Sequence, residues 1–146
     1  MNSRRILIAD DTEFFRQSFA ETFRGEGHEV LLAVDGLDAV QQFRRSADTL
    51  DLVVLDLLMP KMTGFDVLRE VRKGKLGQDL RVLCITNVFK NAPEIESLQK
   101  LGANGFLTKD LSPAEILERI RRTLAEPREA GPGGRPVMEK SGDASP

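Results

Sequence analysis

The chain has 146 residues and a mass of 16.2 kDa, the size of one domain: enough to bury a core, too short for two catalytic domains. Twenty-one Lys and Arg against 23 Asp and Glu leave a net charge of −2 with no dense basic block, which disfavours direct nucleic-acid binding. A single cysteine excludes an internal disulfide and a single histidine excludes a His-rich metal site or zinc finger, both in keeping with a reducing compartment. A single run of four apolar residues, Ile6 to Ala9, precedes Asp10, and no apolar run reaches membrane-spanning length, so a cytoplasmic protein without membrane insertion is expected.

In chain order, short apolar runs alternate five times with helical patterns. Ile6-Leu7-Ile8-Ala9 is continuous and apolar, as a strand buried on both faces of a parallel sheet requires. After the N-cap pair Asp11 and Thr12, Phe15, Phe19 and Phe23 recur every four residues as one apolar stripe, read as core and ended by Gly25 and Gly27. Val30-Leu31-Leu32-Ala33 gives a second strand; a helix follows Asp35-Gly36 with Ala39, Val40 and Phe43 facing in. Leu52-Val53-Val54-Leu55 gives a third, followed from Gly64 by a helix carrying Val67, Leu68 and Val71 and closed by Gly74 and Gly77. Val82-Leu83-Cys84-Ile85 is the fourth strand, and a weaker helix from about Pro93 uses Ile95 and Leu98 before Gly102. Gly105-Phe106-Leu107 is the fifth, and Ser112-Pro113-Ala114-Glu115 opens the last helix as a capping box with proline at its first position, ahead of Ile116, Leu117, Ile120 and Leu124. The last twenty residues, 127–146, hold four of the seven prolines and four of the twelve glycines with balanced charge, and are expected to form a disordered tail after a domain of residues 1–126.

Five βα units joined by right-handed crossovers predict an α/β fold, an open doubly wound parallel sheet of order 2-1-3-4-5; a closed barrel would need eight units. In such sheets ligands bind beyond the carboxyl ends of the strands where the strand order reverses, here between the first and third strands. Asp10 and Asp11 end the first strand and Asp56 the third, so three carboxylates converge. Their mutual repulsion would raise their pKa values unless a cation sits among them, and an all-oxygen donor set suits Mg²⁺, with Mn²⁺ as a substitute. Thr86 after the fourth strand and Lys109 beyond the fifth are expected beside Asp56, on the side away from Asp10. A carboxylate nucleophile flanked by a metal site, a hydroxyl and an ammonium is the equipment of covalent phosphoryl transfer. Any one of these residues has a plainer explanation, as a helix cap, a surface lysine or a strand-end hydroxyl; the constellation carries the reading.

These residues resemble the receiver domain of two-component response regulators, of the single-domain, CheY-like kind with a flavodoxin-like three-layer sandwich. Asp10-Asp11, the run Asp56-Leu57-Leu58-Met59-Pro60-Lys61-Met62-Thr63-Gly64, Thr86 and Lys109 match that family's pattern in order and spacing, over residues 4 to about 125. The resemblance implies that Asp56 is the phosphoacceptor. It implies that Asp11, Asp56 and the backbone carbonyl of Leu58 bind Mg²⁺ directly, with Asp10 acting through water. Thr86 and Lys109 would bind phosphoryl oxygens, and Phe106, at the aromatic switch position, would turn inward as Thr86 moves, reshaping the face of helix four, strand five and helix five. The implied partners are a histidine kinase or phosphotransfer protein as donor and a downstream target protein, in a signalling switch rather than an enzyme.

Some positions depart from the family. Asn87 stands where a small residue is usual and is expected to hinder phosphodonors, the loop that follows carries Val88 and Phe89, and Asp110 replaces a frequent proline. The competing function is a phosphorylation-independent scaffold binding a protein partner, whose expected mark, loss of an acidic or lysine position, is missing here. An Asp-nucleophile phosphatase would place its two carboxylates as Asp-x-Asp on the first strand, and a flavodoxin would carry a phosphate-cradling loop there. Cys84 is expected to be a buried small hydrophobe and His28 a surface turn residue.

Overall fold

A computed structural model describes residues 3–86, 92–126 and 139–140. Strands β1 (Arg5–Ala9), β2 (Glu29–Ala33), β3 (Leu52–Asp56), β4 (Arg81–Thr86) and β5 (Gly105–Thr108) alternate with helices α1 (Glu13–Gly25), α2 (Gly36–Ser46), α3 (Gly64–Lys73), α4 (Ala92–Leu101) and α5 (Pro113–Ala125). All pairings are parallel, in the expected order β2-β1-β3-β4-β5. One short addition departs from the five-strand expectation: Glu139–Lys140, from the segment expected to be disordered, forms β6 alongside β5, pairing Gly105 with Glu139 and Phe106 with Lys140. The outer edge of β5 offers the unpaired backbone groups that such a segment can take up. The rest of 127–146 lies outside the described residues, as do Asn87, Val88 and Phe89.

The continuous apolar strands divide their side chains between two core layers, because successive residues point to opposite faces of a sheet. Ile6, Ile8, Leu52, Val54, Leu83, Ile85 and Leu107 join Phe19 and Phe23 of α1 and Ile116, Ile120 and Leu124 of α5. Leu7, Ala9, Val53, Leu55, Val82, Cys84 and Phe106 join Val40 of α2, Val67, Leu68 and Val71 of α3 and Leu98 of α4. Each fully buried phenylalanine or leucine of these layers contributes roughly 1.5–3 kcal/mol of transfer free energy.

The helix starts are set locally. Asp35 Oδ1 accepts the Asp38 N–H at 2.8 Å, Thr63 Oγ1 accepts the Asp66 N–H at 3.2 Å, and Ser112 and Glu115 complete the reciprocal capping box with Pro113 in the first turn. At α1 the expectation is corrected. Thr12 occupies the cap position but its side chain makes no capping bond; its own N–H donates instead to Asp10 Oδ1 at 2.8 Å. The buried carboxylate of Asp10 thus organises the entry to α1. His28 is half-buried rather than a free surface residue, its Nδ1 accepting the Arg4 N–H at 3.0 Å.

Candidate functional site

Strand register brings the polar residues together. Ala9 pairs with Leu55, which sets Asp10 level with Asp56; Asp56 pairs with Ile85, one residue before Thr86; and Thr86 pairs with Thr108, one residue before Lys109. The Lys109 N–H donates to the Thr86 carbonyl at 2.8 Å, tying the ends of β4 and β5. The loop from β3 to α3 passes beneath them, its turn made possible by Gly64. A Cβ there would lie 2.6 Å from both the Asp56 carbonyl oxygen and the Leu57 Cα, closer than any side chain tolerates. Without a side chain, the Gly64 N–H reaches the Leu57 carbonyl at 2.9 Å, and α3 starts directly under the end of β3.

Asp10 and Asp56 are 1% and 3% exposed, whereas Asp11 is open to solvent. Carboxylate oxygens of all three lie within 4.8 Å of one another. Lys109 Nζ stands 2.9 Å from Asp10 Oδ2 and 3.3 Å from Asp56 Oδ2, so it bridges the two buried carboxylates rather than lying on the far side of Asp56, as the sequence had led us to expect. A long, flexible cation is drawn to the deepest concentration of negative charge, and that lies between the two acids. Asp56 Oδ1 accepts the Leu58 N–H at 3.2 Å, while the Leu58 side chain is half exposed.

Burial, and next the neighbouring charge of Asp10, push the Asp56 carboxyl up from 3.8 to about 6; Lys109 and the Leu58 N–H pull in the opposite direction without offsetting them. Charge repulsion was anticipated, but desolvation outweighs it. Asp10 Oδ2, although ion-paired, accepts no well-aligned hydrogen bond among the described residues and is sealed from solvent. An all-oxygen donor set, one buried oxygen short of donors and one acid on the solvent side together fit a hard divalent cation of the Mg²⁺ kind.

Thr86 is buried at 1% exposure and Phe106 at 4%, within the layer that includes Leu98 of α4 and Ala103. Alternation along β5 directs Phe106 into that layer and Leu107 into the other. Sequence reasoning missed the role of the first turn of α1. Arg16 Nη1 donates to the Asp10 carbonyl at 2.7 Å, and the Phe15 ring lies against Lys109 with Nζ 4.5 Å from its centroid. Phe15 packs against the core layer of α1 as its spacing predicts, and its contact with Lys109 comes in addition; the available signal was that the first turn after β1 must lie at the carboxyl end of the sheet. Cys84 is fully buried, and burial raises its thiol to about 12, as suits a packing residue.

Comparison with known proteins identifies the family. Residues 6–121 match the response regulator receiver domain. The chain is 32% identical over 121 residues to the chemotaxis protein CheY of Treponema pallidum, covering 82% of each chain. It is 35% identical over 120 residues to the response regulator MprA of Mycobacterium leprae, covering 82% of this chain and 50% of the relative. The chain spans about half the length of that protein and of the transcriptional regulators it also matches. Among solved structures, the CheX–CheY–BeF3–Mg complex from Borrelia burgdorferi superposes with a TM-score of 0.74 at 27% identity, covering 84% of this chain and 90% of that one. The chain belongs to the response-regulator receiver family, whose members are signalling switches.

Proposed function

We propose that the chain accepts a phosphoryl group on Asp56 in a Mg²⁺-dependent reaction and passes the signal to a protein partner. The observation that carries this reading is the convergence of Asp10, Asp11 and Asp56 with the Lys109 ammonium bridging two of them. An oxygen of the ionised Asp56 carboxylate attacks the phosphorus of a phosphohistidine on a kinase or phosphotransfer protein. A P–O bond forms, the donor's P–N bond breaks, and the electron pair leaves with the imidazole. Lys109 follows the charge onto the phosphoryl oxygens, and the Thr86 hydroxyl takes another of them. Asp10, Asp11 and Asp56, with the Leu58 carbonyl, would hold the Mg²⁺, whose charge offsets that of the phosphoryl oxygens. The BeF3 and Mg named with the CheY of Borrelia burgdorferi support both assignments by similarity.

The output follows from the same geometry. A dianionic phosphoryl group at Asp56 adds acceptors that Thr86 meets by shifting the end of β4, and the β4–β5 pairing carries that shift toward Phe106 and the face of α4, β5 and α5. The test is Asp56→Asn, nearly isosteric, treated with labelled acetyl phosphate. Loss of label in a folded variant is expected, and label retained in it would remove Asp56 from the role.

A further inference from the structure

We propose that Phe15 is a positioning residue for Lys109, its ring face holding the ammonium between the two buried acids for phosphoryl transfer. This rests on the receiver reading of Lys109 and goes beyond it by assigning a function to the first turn of α1.

The contact is built rather than incidental. Lys109 Nζ lies 4.5 Å from the Phe15 ring centroid, within the range where the negative face of a π system attracts a cation. The Lys109 side chain is only 8% exposed, so water screens the attraction weakly. The ring is in turn held by its neighbours. It meets Phe19 edge-on at 5.5 Å and 61°, and Phe14 at 5.9 Å and 81°, so an aromatic column runs from the buried Phe19 through Phe15 to the exposed Phe14. Arg16, the next residue, fixes the same turn of helix by donating to the Asp10 carbonyl. The ammonium thus has Asp10 and Asp56 on two sides and a pinned ring face on a third.

That arrangement meets a specific chemical need. Two carboxylates compete for one cation and Asp10 has the shorter contact, yet during transfer the ammonium must serve phosphoryl oxygens arriving at Asp56. A neutral ring attracts the cation without competing as a hydrogen-bond acceptor. It keeps the ammonium at the cleft while leaving its N–H groups free to exchange a carboxylate for a phosphoryl oxygen. An aliphatic side chain of similar size would fill the space and supply no such attraction.

The test separates packing from the electrostatic role. Phe15 is replaced by 4-fluoro-, 3,5-difluoro- and 3,4,5-trifluorophenylalanine, which keep the ring's shape and progressively weaken its negative face. The rate of Mg²⁺-dependent phosphorylation by acetyl phosphate is then followed by intact mass. The rate is expected to fall stepwise with fluorination, by roughly three- to tenfold across the series, with the melting temperature unchanged. Phe15→Tyr should keep the rate and Phe15→Leu should fall with the trifluoro variant. A flat series, or Phe15→Leu reacting like the wild type, overturns the positioning role while leaving the receiver reading intact. A wild-type protein that gains no phosphoryl group overturns both.

Discussion

Lys109 Nζ is nearer to Asp10, at 2.9 Å, than to Asp56, at 3.3 Å. The ammonium therefore ties together two acids that would otherwise repel one another in a site almost closed to water, and it already stands beside the carboxylate proposed to receive the phosphoryl group. Its removal leaves two buried carboxylates without their shared cation and the transferring phosphoryl group without a donor.

Lys109→Met should accordingly lower the rate of phosphoryl incorporation by about 10²–10³-fold, the usual effect of deleting one preorganised donor to developing charge. The check is the rate of mass gain with acetyl phosphate at saturating Mg²⁺. A rate within a few-fold of the wild type would show that Lys109 acts only on the resting structure.

The raised Asp56 carboxyl makes stability depend on pH in a definite direction. Its folded value of about 6 lies above its ordinary 3.8, so between these limits the native protein binds more protons than the unfolded chain. In metal-free buffer stability should fall as pH rises through that window, with an Asp56 contribution of at most about 3 kcal/mol. Asp56→Asn should remove this component. Urea unfolding followed by circular dichroism from pH 4 to 7 measures it, and parallel stability curves for the two proteins would refute it.

Gly64→Ala should destabilise the domain by about 1–3 kcal/mol, because the new Cβ would press on the backbone of Asp56 and Leu57. Gly74→Ala is the control: its backbone has a φ of −98° and open space around the Cβ position, so little change is expected. Thermal melts of both variants decide the comparison. Equal melting temperatures would mean that the β3–α3 turn yields at little cost.

Cys84 should resist alkylation in the native protein, since the thiol is sealed in a core layer and burial raises its pKa to about 12. Iodoacetamide at pH 8 should add one mass increment only after unfolding. Rapid modification of the native state would place Cys84 in a more open environment than the core of β4.

Much of the site could be read from the chain because it consists of strand ends. Once Ile6 to Ala9, Leu52 to Leu55, Val82 to Ile85 and Gly105 to Leu107 are recognised as parallel neighbours, backbone register alone sets Asp10, Asp56, Thr86 and Lys109 along one edge. Side-chain reach is not set by register. Lys109 has four methylenes with which to cross Asp56, and its final position answers to the charge of both acids and to the Phe15 ring. The same gap separates the expected Thr12 cap from the observed one, where a hydroxyl and a buried carboxylate compete to organise one turn and the carboxylate prevails. Phe15 fits the core stripe by spacing and does pack against that layer, but spacing gives no sign that its ring also reaches Lys109. The two-residue β6 had no apolar pattern to announce it, being held through backbone pairing to an edge strand.

The central claim, phosphoryl acceptance at Asp56, is met most directly by intact-mass measurement of the whole chain after incubation with acetyl phosphate, with Mg²⁺ and then with a chelator. The account predicts a gain of one phosphoryl group that requires Mg²⁺ and is lost in Asp56→Asn. A folded, Mg²⁺-binding protein that gains no mass, or one that gains it equally in Asp56→Asn, would contradict it.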